Sequence, residues 1–354
     1  MNQSYHQRFG DEQPLFEKIE MKKAYITGAT GFIGGRLVRL LVEKQMEVTC
    51  LVRSPEKIEH LKPLGIKVVT GDITDEERVA ETIQGHDLVF HIAAWYEIGV
   101  RSGKESAMRL TNVTGTKNVL QTAWKSGAKR IVYCSTVAAL GSSGPPDRIG
   151  DENHPHDGRF QSLYAKTKWE AHQTVKGLIK EGAPIVMVLP GAVYGPGDTS
   201  LITRQMRLIV NEKVPAMPKA PGIYCYTHVD DVVAGIWLAA EEGRVSEQYV
   251  LAGPALTMVE FHHVVARQAG VKPPALRIPS GVLRALAWIH DNVPGGKIVS
   301  GGMPMSREAI AMTTQANWAF SSQKAEKELG WKARSFEEGL AETLEWIRKQ
   351  VVPA

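Results

Sequence analysis

"ITGATGFIGGRLV", residues 26–38, decides the fold. "KAYITGA" (23–29) is a short apolar strand that ends in glycine, and "FIGGRLVRLLVEKQ" (32–45) carries apolar residues at helical spacing. Gly28, Gly31 and Gly34 form G-x-x-G-x-x-G at this strand-to-helix joint. The first glycine permits a tight turn, the second lets the backbone approach a pyrophosphate, and the third lets helix pack closely on strand. The helix start, with Thr30, Phe32 and Ile33 beside the glycines, would face phosphates with free N–H groups and a positive dipole end. A glycine pattern alone is weak. Its place between a strand and a helix points to nucleotide binding.

The chain continues in the same rhythm. "EVTCLVR" (47–53), "KVVTGDI" (67–73), "DLVFHIAA" (87–94), "RIVYCST" (130–136) and "PIVMVLPG" (184–191) read as strands. Helical patterns lie between them, the longest being "ESAMRLTNVTGTKNVLQTAWKSG" (105–127) and "SLYAKTKWEAHQTVKGLIKEG" (162–182). Near-continuous apolar strands alternating with helices predict an α/β fold with a doubly wound parallel sheet covered on both faces. The regularity breaks after Pro190, where Pro, Gly and Met become frequent. The expected organisation is a mobile leader at 1–20 and a nucleotide-binding region at 21–190, to which 226–250 returns. A smaller, mixed α/β substrate region would mainly take 191–225 and 251–354. Within it "IPSGVLRALAWIHDNV" (278–293) carries an apolar stripe of Val282, Leu283, Leu286 and Ile289, expected to cover the pocket.

Bulk properties narrow the classes. The 354 residues are 43% apolar and 23% charged with a net charge of +4, as in an ordinary soluble globular protein. No run of lysine and arginine calls for nucleic acid, and no apolar run reaches the roughly 18 residues of a membrane span. The start lacks the basic-then-apolar pattern of a signal peptide. Cys50, Cys134 and Cys225 are far apart with no metal spacing, as expected of buried thiols in the cytoplasm. No metal site is expected.

Strand ends supply the candidate site. Arg53 is the first polar group after the second strand, where an NAD-preferring site usually has an acid, and Lys57 follows. Cations there suit the 2′-phosphate of NADP, with NAD as the alternative. Asp72 could accept from an adenine amino group with Ile73 packed on the ring, although "DITDEERV" also reads as a helix cap. Small Ala93 and Ala94 would let a cofactor lie close. Ser135 and Thr136 end the fifth strand, at the edge where open α/β sheets bind ligands. Tyr164 and Lys168 follow, one helical turn apart on one face. An ammonium nearby would lower the phenol's pKa from about 10 towards neutrality and make it a proton donor or acceptor.

Here the chain resembles the extended short-chain dehydrogenase/reductases of the NAD(P)-dependent epimerase/dehydratase superfamily. The matching pieces are "TGATGFIGGRL", "GDITD", "FHIAA", "NVTGTKNVL", "YCSTVAALG", "YAKTK", "LPGAVYGPGD", "HVDDVVAG" and "SSQKAEKELGW", in family order over about residues 22–332. The resemblance implies a Rossmann fold, Tyr164 as catalytic acid/base, and Lys168 tuning it and binding the nicotinamide ribose. It places Thr136 at the catalytic Ser/Thr, with Ser135 as its backup. Asn112 would support the central helix, Pro190 and Gly191 would line the nicotinamide, and Val193 would be near it. Oligomers such as homodimers are frequent in such a family, and members of the reductase branch can be monomers.

"LVRSPEK" and the glycine turn look like the dihydroflavonol reductase branch. The implied activity is NADPH-dependent reduction of a ketone or aldehyde on a small, hydrophobic substrate. A nucleotide-sugar epimerase, similar to hopanoid-associated sugar epimerases, is the alternative. Against it, Ser321 replaces the usual tail aspartate, Leu189 and Ala192 break the sugar-nucleotide pattern, and Arg53 sits where such enzymes want an acid. Val137 and Ala138 replace the Asp-Glu pair of sugar dehydratases. A non-catalytic NADPH-binding regulator is a third reading, which the presence of both Tyr164 and Lys168 disfavours.

Overall fold

The chain alternates strand and helix from Lys23, as its apolar pattern requires. The computed structural model describes residues 21–350 except 101–102, 215, 220–221, 294–298, 301–302, 305 and 315–316. The leader expected at 1–20 lies outside the described residues. In order come β1 (Lys23–Thr27), α1 (Phe32–Glu43), β2 (Glu47–Val52), β3 (Lys67–Thr70), α2 (Glu76–Ile83) and β4 (Leu88–His91). Then follow α3 (Glu105–Arg109), a π-helical turn at Leu110–Thr114, α4 (Gly115–Lys125), β5 (Arg130–Cys134), α5 (Leu163–Lys180) and β6 (Ile185–Pro190). The second part holds β7 (Ala192–Tyr194), α6 (Leu201–Val210), β8 (Met217–Pro218), β9 (Ile223–His228), α7 (Val229–Glu241) and β10 (Gln248–Leu251). It continues with β11 (Ala255–Thr257), α8 (Met258–Ala269), β12 (Arg277–Ile278), α9 (Ser280–Asn292), β13 (Val299–Ser300) and β14 (Met303–Pro304). The last elements are α10 (Arg307–Thr314), β15 (Asn317–Trp318), α11 (Gln323–Leu329) and α12 (Phe336–Gln350).

Seven strands form one sheet in the order β10-β6-β5-β4-β1-β2-β3, and each pair runs parallel. Helices cover both faces, so β6 is buried at every residue and its sequence carries no polar alternation. On one face α1 buries Leu37, Val38 and Leu41 at helical spacing and packs beside α7. On the other, α4 and α5 bury Val119, Leu120, Ala171 and Val175. Side chains fix where helices begin. Asp75 accepts from Arg78 N at α2, and Ser162 accepts from Ala165 N at α5. Both caps place the first turn close to a sheet edge that carries candidate residues.

A second layer is built on β9, which pairs with β7, β11 and β15. Tyr194, Met206, Phe261, Phe336 and Leu340 form its core between α6, α8 and α12. The packing refines two expectations. Gln323–Trp331, expected in the smaller region, packs on α7 and β10, and Ala325, Leu329 and Trp331 join the core of the large sheet. Trp331 Nε1 donates to Asp231 O at 2.7 Å, which satisfies the indole inside that core. The stripe on α9 is not a uniform cover either. Leu283 and Ala287 are buried, but Val282 is 49% exposed and Ile289 lies on the open side; among the described residues α10 is the main element packed on this helix. Cys50, Cys134 and Cys225 are buried free thiols, as expected.

Candidate active site

The chain leaves β1 towards β2 and β3, and re-enters at β4 to build β5 and β6 on the other side. The crevice at the carboxyl ends of β1 and β4 is the place where this topology opens for a ligand. Gly28 turns there with φ +84°, and a Cβ on it would lie 2.6 Å from Ala93 N. A Cβ on Gly34 would lie 2.1 Å from Gly28 O. The glycines therefore let three backbone segments touch. The first turn of α1 has no side-chain cap and no acidic residue. Among the described residues the N–H groups of Phe32, Ile33 and Gly34 have no backbone acceptor, while Gly31 N bonds back to Gly28 O at 3.0 Å. Free donors at a positive dipole end fit a pyrophosphate.

Beyond this turn, Arg53 is 70% exposed and lies 3.7 Å from Asp72 Oδ2. Lys57 is exposed nearby in a 3-10 helix at Pro55–Leu64. Asp72 Oδ1 accepts from Thr74 N at 2.9 Å and Thr74 Oγ1 at 2.8 Å, so one oxygen shapes the turn before α2 and the other faces the arginine. Ile73 is buried against Gly115. Ala93 touches the glycine turn, and Ala94 is exposed.

The end of β5 separates the two hydroxyls. Ser135 is buried and its Oγ pairs with His172 Nδ1 at 3.3 Å. Thr136 is partly exposed. Its Oγ1 accepts from Ala138 N at 3.3 Å and lies 3.5 Å from Pro190 O. Thr136 is thus the hydroxyl open to a ligand, and Ser135 serves the interior. Gly191 follows Pro190 where a Cβ would meet Cys225 O at 2.4 Å, and Val193 packs partly on the core.

Lys168 is buried, and its Nζ donates to Tyr133 Oη at 3.2 Å and Cys134 O at 3.0 Å. Burial alone would disfavour its ammonium. Tyr133, Tyr164 and Cys134 around it outweigh that and hold its pKa above the ordinary lysine value. For Tyr164 the sequence expectation has the sign reversed. Burial raises its pKa well above the ordinary phenol value, and Lys168 opposes this without overcoming it. The phenol keeps its proton at neutral pH, and Lys168 moderates the cost of giving it up.

A buried polar chain aligns these pieces. His91 Nδ1 pairs with Thr27 Oγ1 at 2.7 Å, and its Nε2 pairs with Thr116 Oγ1 at 2.9 Å. Burial, then the Lys168 charge, push His91 down to about 3, so the ring is a neutral tie and not a base. Asn112 sits in the π-helical turn and accepts from Trp95 N at 2.7 Å. Its Nδ2 donates to Trp95 O and Thr167 Oγ1, both at 3.0 Å. Thr167 Oγ1 in turn donates to Tyr164 O at 2.9 Å. The widened turn aims an amide at two segments at once, a common use of such turns.

Three contributors were missed or only half seen in the sequence. Tyr133 lies two residues before Ser135 on β5, and strand alternation could have placed it beside Lys168. The Tyr96 ring meets the Tyr164 ring edge-on at 4.9 Å, forming one wall beside the phenol. Glu308 on α10 accepts from Gly99 N at 2.6 Å and Leu163 N at 3.0 Å, fastening the loop after β4 to the start of α5. No local signal predicts Glu308, which reaches across 145 residues. Among the described residues one His–carboxylate trio, His228, Asp230 and Glu342, stands apart from this site. Its carboxylates already pair with Arg36 and Arg334.

The chain matches the model of the NAD dependent epimerase/dehydratase family over residues 24–252. A Synechocystis sp. protein provisionally named dihydroflavonol 4-reductase is 28% identical, over 92% of this chain and 94% of its own. A Stigmatella aurantiaca protein, 4-hydroxy-2-methyl-3-oxo-4-farnesyl-3,4-dihydroquinoline-1-oxide ketoreductase, is 28% identical, over 88% of this chain and 92% of its own. Among solved structures, gox2253 superposes with a TM-score of 0.77 at 29% identity, over 93% of this chain and 99% of its own. UDP-glucose 4-epimerase of Thermotoga maritima gives 0.73 at 21% identity, over 93% and 100%, a likeness of fold.

Proposed function

Since the chain is an NAD(P)-dependent enzyme belonging to the NAD dependent epimerase/dehydratase family, we propose that it is an NADPH-dependent reductase of ketones or aldehydes. The observation that carries this is the half-buried Tyr164, its phenol pKa raised by desolvation, one helical turn from the buried Lys168. NADPH, when bound at the glycine turn, supplies hydride. The first turn of α1 holds the pyrophosphate, and Arg53 with Lys57 receives the 2′-phosphate. Thr136 Oγ1 orients the substrate carbonyl oxygen. The Tyr164 Oη–H donates its proton to that oxygen as negative charge develops on it. Lys168, fixed by Tyr133 and Cys134 O, stabilises the phenolate left behind. Tyr96 and Trp95 wall the substrate side, which suits a hydrophobic carbonyl compound. The three buried thiols suit a reducing cytoplasm.

Binding and turnover test this reading. The purified chain is titrated with NADPH and with NADH, following tryptophan fluorescence, and a denatured sample is assayed for nucleotide carried through purification. Reversible NADPH binding, followed by loss of 340 nm absorbance with aryl ketones or aldehydes, is the expected result. NAD that copurifies and resists washing would overturn it in favour of sugar-nucleotide chemistry. Arg53→Ala is expected to weaken NADPH roughly 10-fold or more, as loss of a charged hydrogen bond does, and to leave NADH within about 2-fold. Equal losses for both cofactors would remove Arg53 from the 2′-phosphate.

A further inference from the structure

A cavity of about 380 Å³ is walled by residues that follow Thr136 and precede Tyr164 in the chain, and by Glu308, which bonds the residue next to Tyr164. Ser142 enters its wall six residues after Thr136, and Gln161 three residues before Tyr164. Glu308, which bonds Leu163 N, and Ala311 close it from α10. The size lies within the range of small-molecule sites. Phe160 supplies an aromatic surface, backed by Trp169 at 5.5 Å between ring centres.

The charges in this wall are unevenly committed. Both carboxylates are engaged. Glu308 accepts two backbone N–H groups, and Asp157 accepts from Arg159 N at 2.9 Å and faces His156. The two guanidiniums are not matched in the same way. Arg307 Nε is 3.7 Å from Asp291, too long for a hydrogen bond. The Arg159 side chain has no ion pair among the described residues. Gln161 Oε1 is buried and has no hydrogen-bond partner among the described residues. Such an acceptor is costly to leave unmade, and a ligand hydroxyl or water would satisfy it. The unpaired Arg159, the loosely paired Arg307 and one orphan acceptor suit an anionic oxygen group with an O–H donor near it.

We propose that this cavity is a substrate subsite for an anionic oxygen group, held by Arg159 and Arg307 while the carbonyl lies at Tyr164. The proposal rests on the reductase reading for the carbonyl end only. It makes the preferred substrate a carbonyl compound with an aromatic or apolar middle and a charged far end.

The test measures affinity of the full chain for 4-acetylbenzoate, 4-acetylphenyl phosphate and methyl 4-acetylbenzoate by calorimetry, with NADPH oxidation followed in parallel. The wild type is expected to bind at least one anion about 10-fold tighter than the ester, less so at high salt. R159Q and R307Q should each erase most of that preference and leave ester binding unchanged. Both arginines are exposed, so melting temperatures should not move. The tighter of the two anions distinguishes carboxylate from phosphate as the natural group. Equal affinity for acid and ester, no binding of either anion, or anion binding indifferent to both substitutions overturns the subsite. Turnover of all three compounds without an anion preference leaves the reductase reading standing and removes the subsite. Arginine-dependent anion binding without oxidation of NADPH does the reverse.

Discussion

Tyr164→Phe is expected to lower kcat for carbonyl reduction by about 10²–10⁴-fold, the usual worth of a positioned proton donor, with NADPH affinity within about 3-fold of wild type. The ring stays. Its edge-on contact with Tyr96 at 4.9 Å and the helix start capped by Ser162 do not involve the hydroxyl. What disappears is the proton, and Lys168, whose Nζ is bound to Tyr133 and Cys134 O, is not placed to replace it. Stopped-flow NADPH oxidation and fluorescence titration on the same preparation separate the two effects. Wild-type turnover in the variant would remove Tyr164 from the chemistry. Parallel loss of turnover and cofactor affinity would make it a binding residue.

Gly34→Ala should be more drastic, and in a different quantity. A methyl at this position would lie 2.1 Å from Gly28 O, 2.6 Å from Gly28 C and 3.1 Å from Ala29 Cα. These are backbone atoms, so no side-chain rotation relieves the clash. Either α1 lifts off β1 or the turn opens, and both expose the core at Leu37, Val38 and Leu41. The expected loss is roughly 4 kcal/mol or more, at the extreme for single substitutions. It should appear as a large fall in the urea midpoint or as insoluble expression. Gly35→Ala is the control. Its methyl would meet Ala29 O at 3.3 Å, a tight contact the helix can absorb. It also gains about 1 kcal/mol of helix propensity, so it should stay near wild type. A soluble, stable Gly34→Ala protein would show that the close packing is not needed.

How much of this was legible follows from how local each cause is. The glycine turn was legible because the strand, the three glycines and the helix that use them lie within 16 residues of one another (23–38). The parallel sheet was legible because burial on both faces removes polar alternation from strands such as β6. Tyr164 and Lys168 were legible as a pair on one helix face, but the sign of the phenol's shift was not. That sign depends on how completely α5, β5 and the Tyr96 loop exclude water, a property of packing and not of spacing. Thr136 was preferred to Ser135 only through the family resemblance; the physical reason, His172 taking the serine inward from 37 residues away, lies outside any local pattern. Glu308 and the open side of α9 depend on which distant element lies alongside. The tail helix carried apolar residues that suited either core, and only the tertiary structure assigns Ala325 and Trp331 to the sheet.

The imidazoles buried around the site have a consequence for the proton inventory of folding. His91 and His172 are both held near pKa 3, chiefly by burial, against about 6.5 in an unfolded chain. Folding therefore excludes two protons that the unfolded chain would bind in mild acid. Their contribution is complete above about pH 6.5 and is lost progressively as pH falls towards 3, with a limiting slope of about 2.7 kcal/mol per pH unit. His156, His228 and His262 are shifted in the same direction. The melting temperature should therefore fall steeply between pH 7 and 5, and a flat profile there would mean that these rings are hydrated. The same neutral ties that keep the glycine turn and Tyr164 in register across physiological pH would make the enzyme acid-labile as a whole, even though no group assigned to its chemistry titrates in that window.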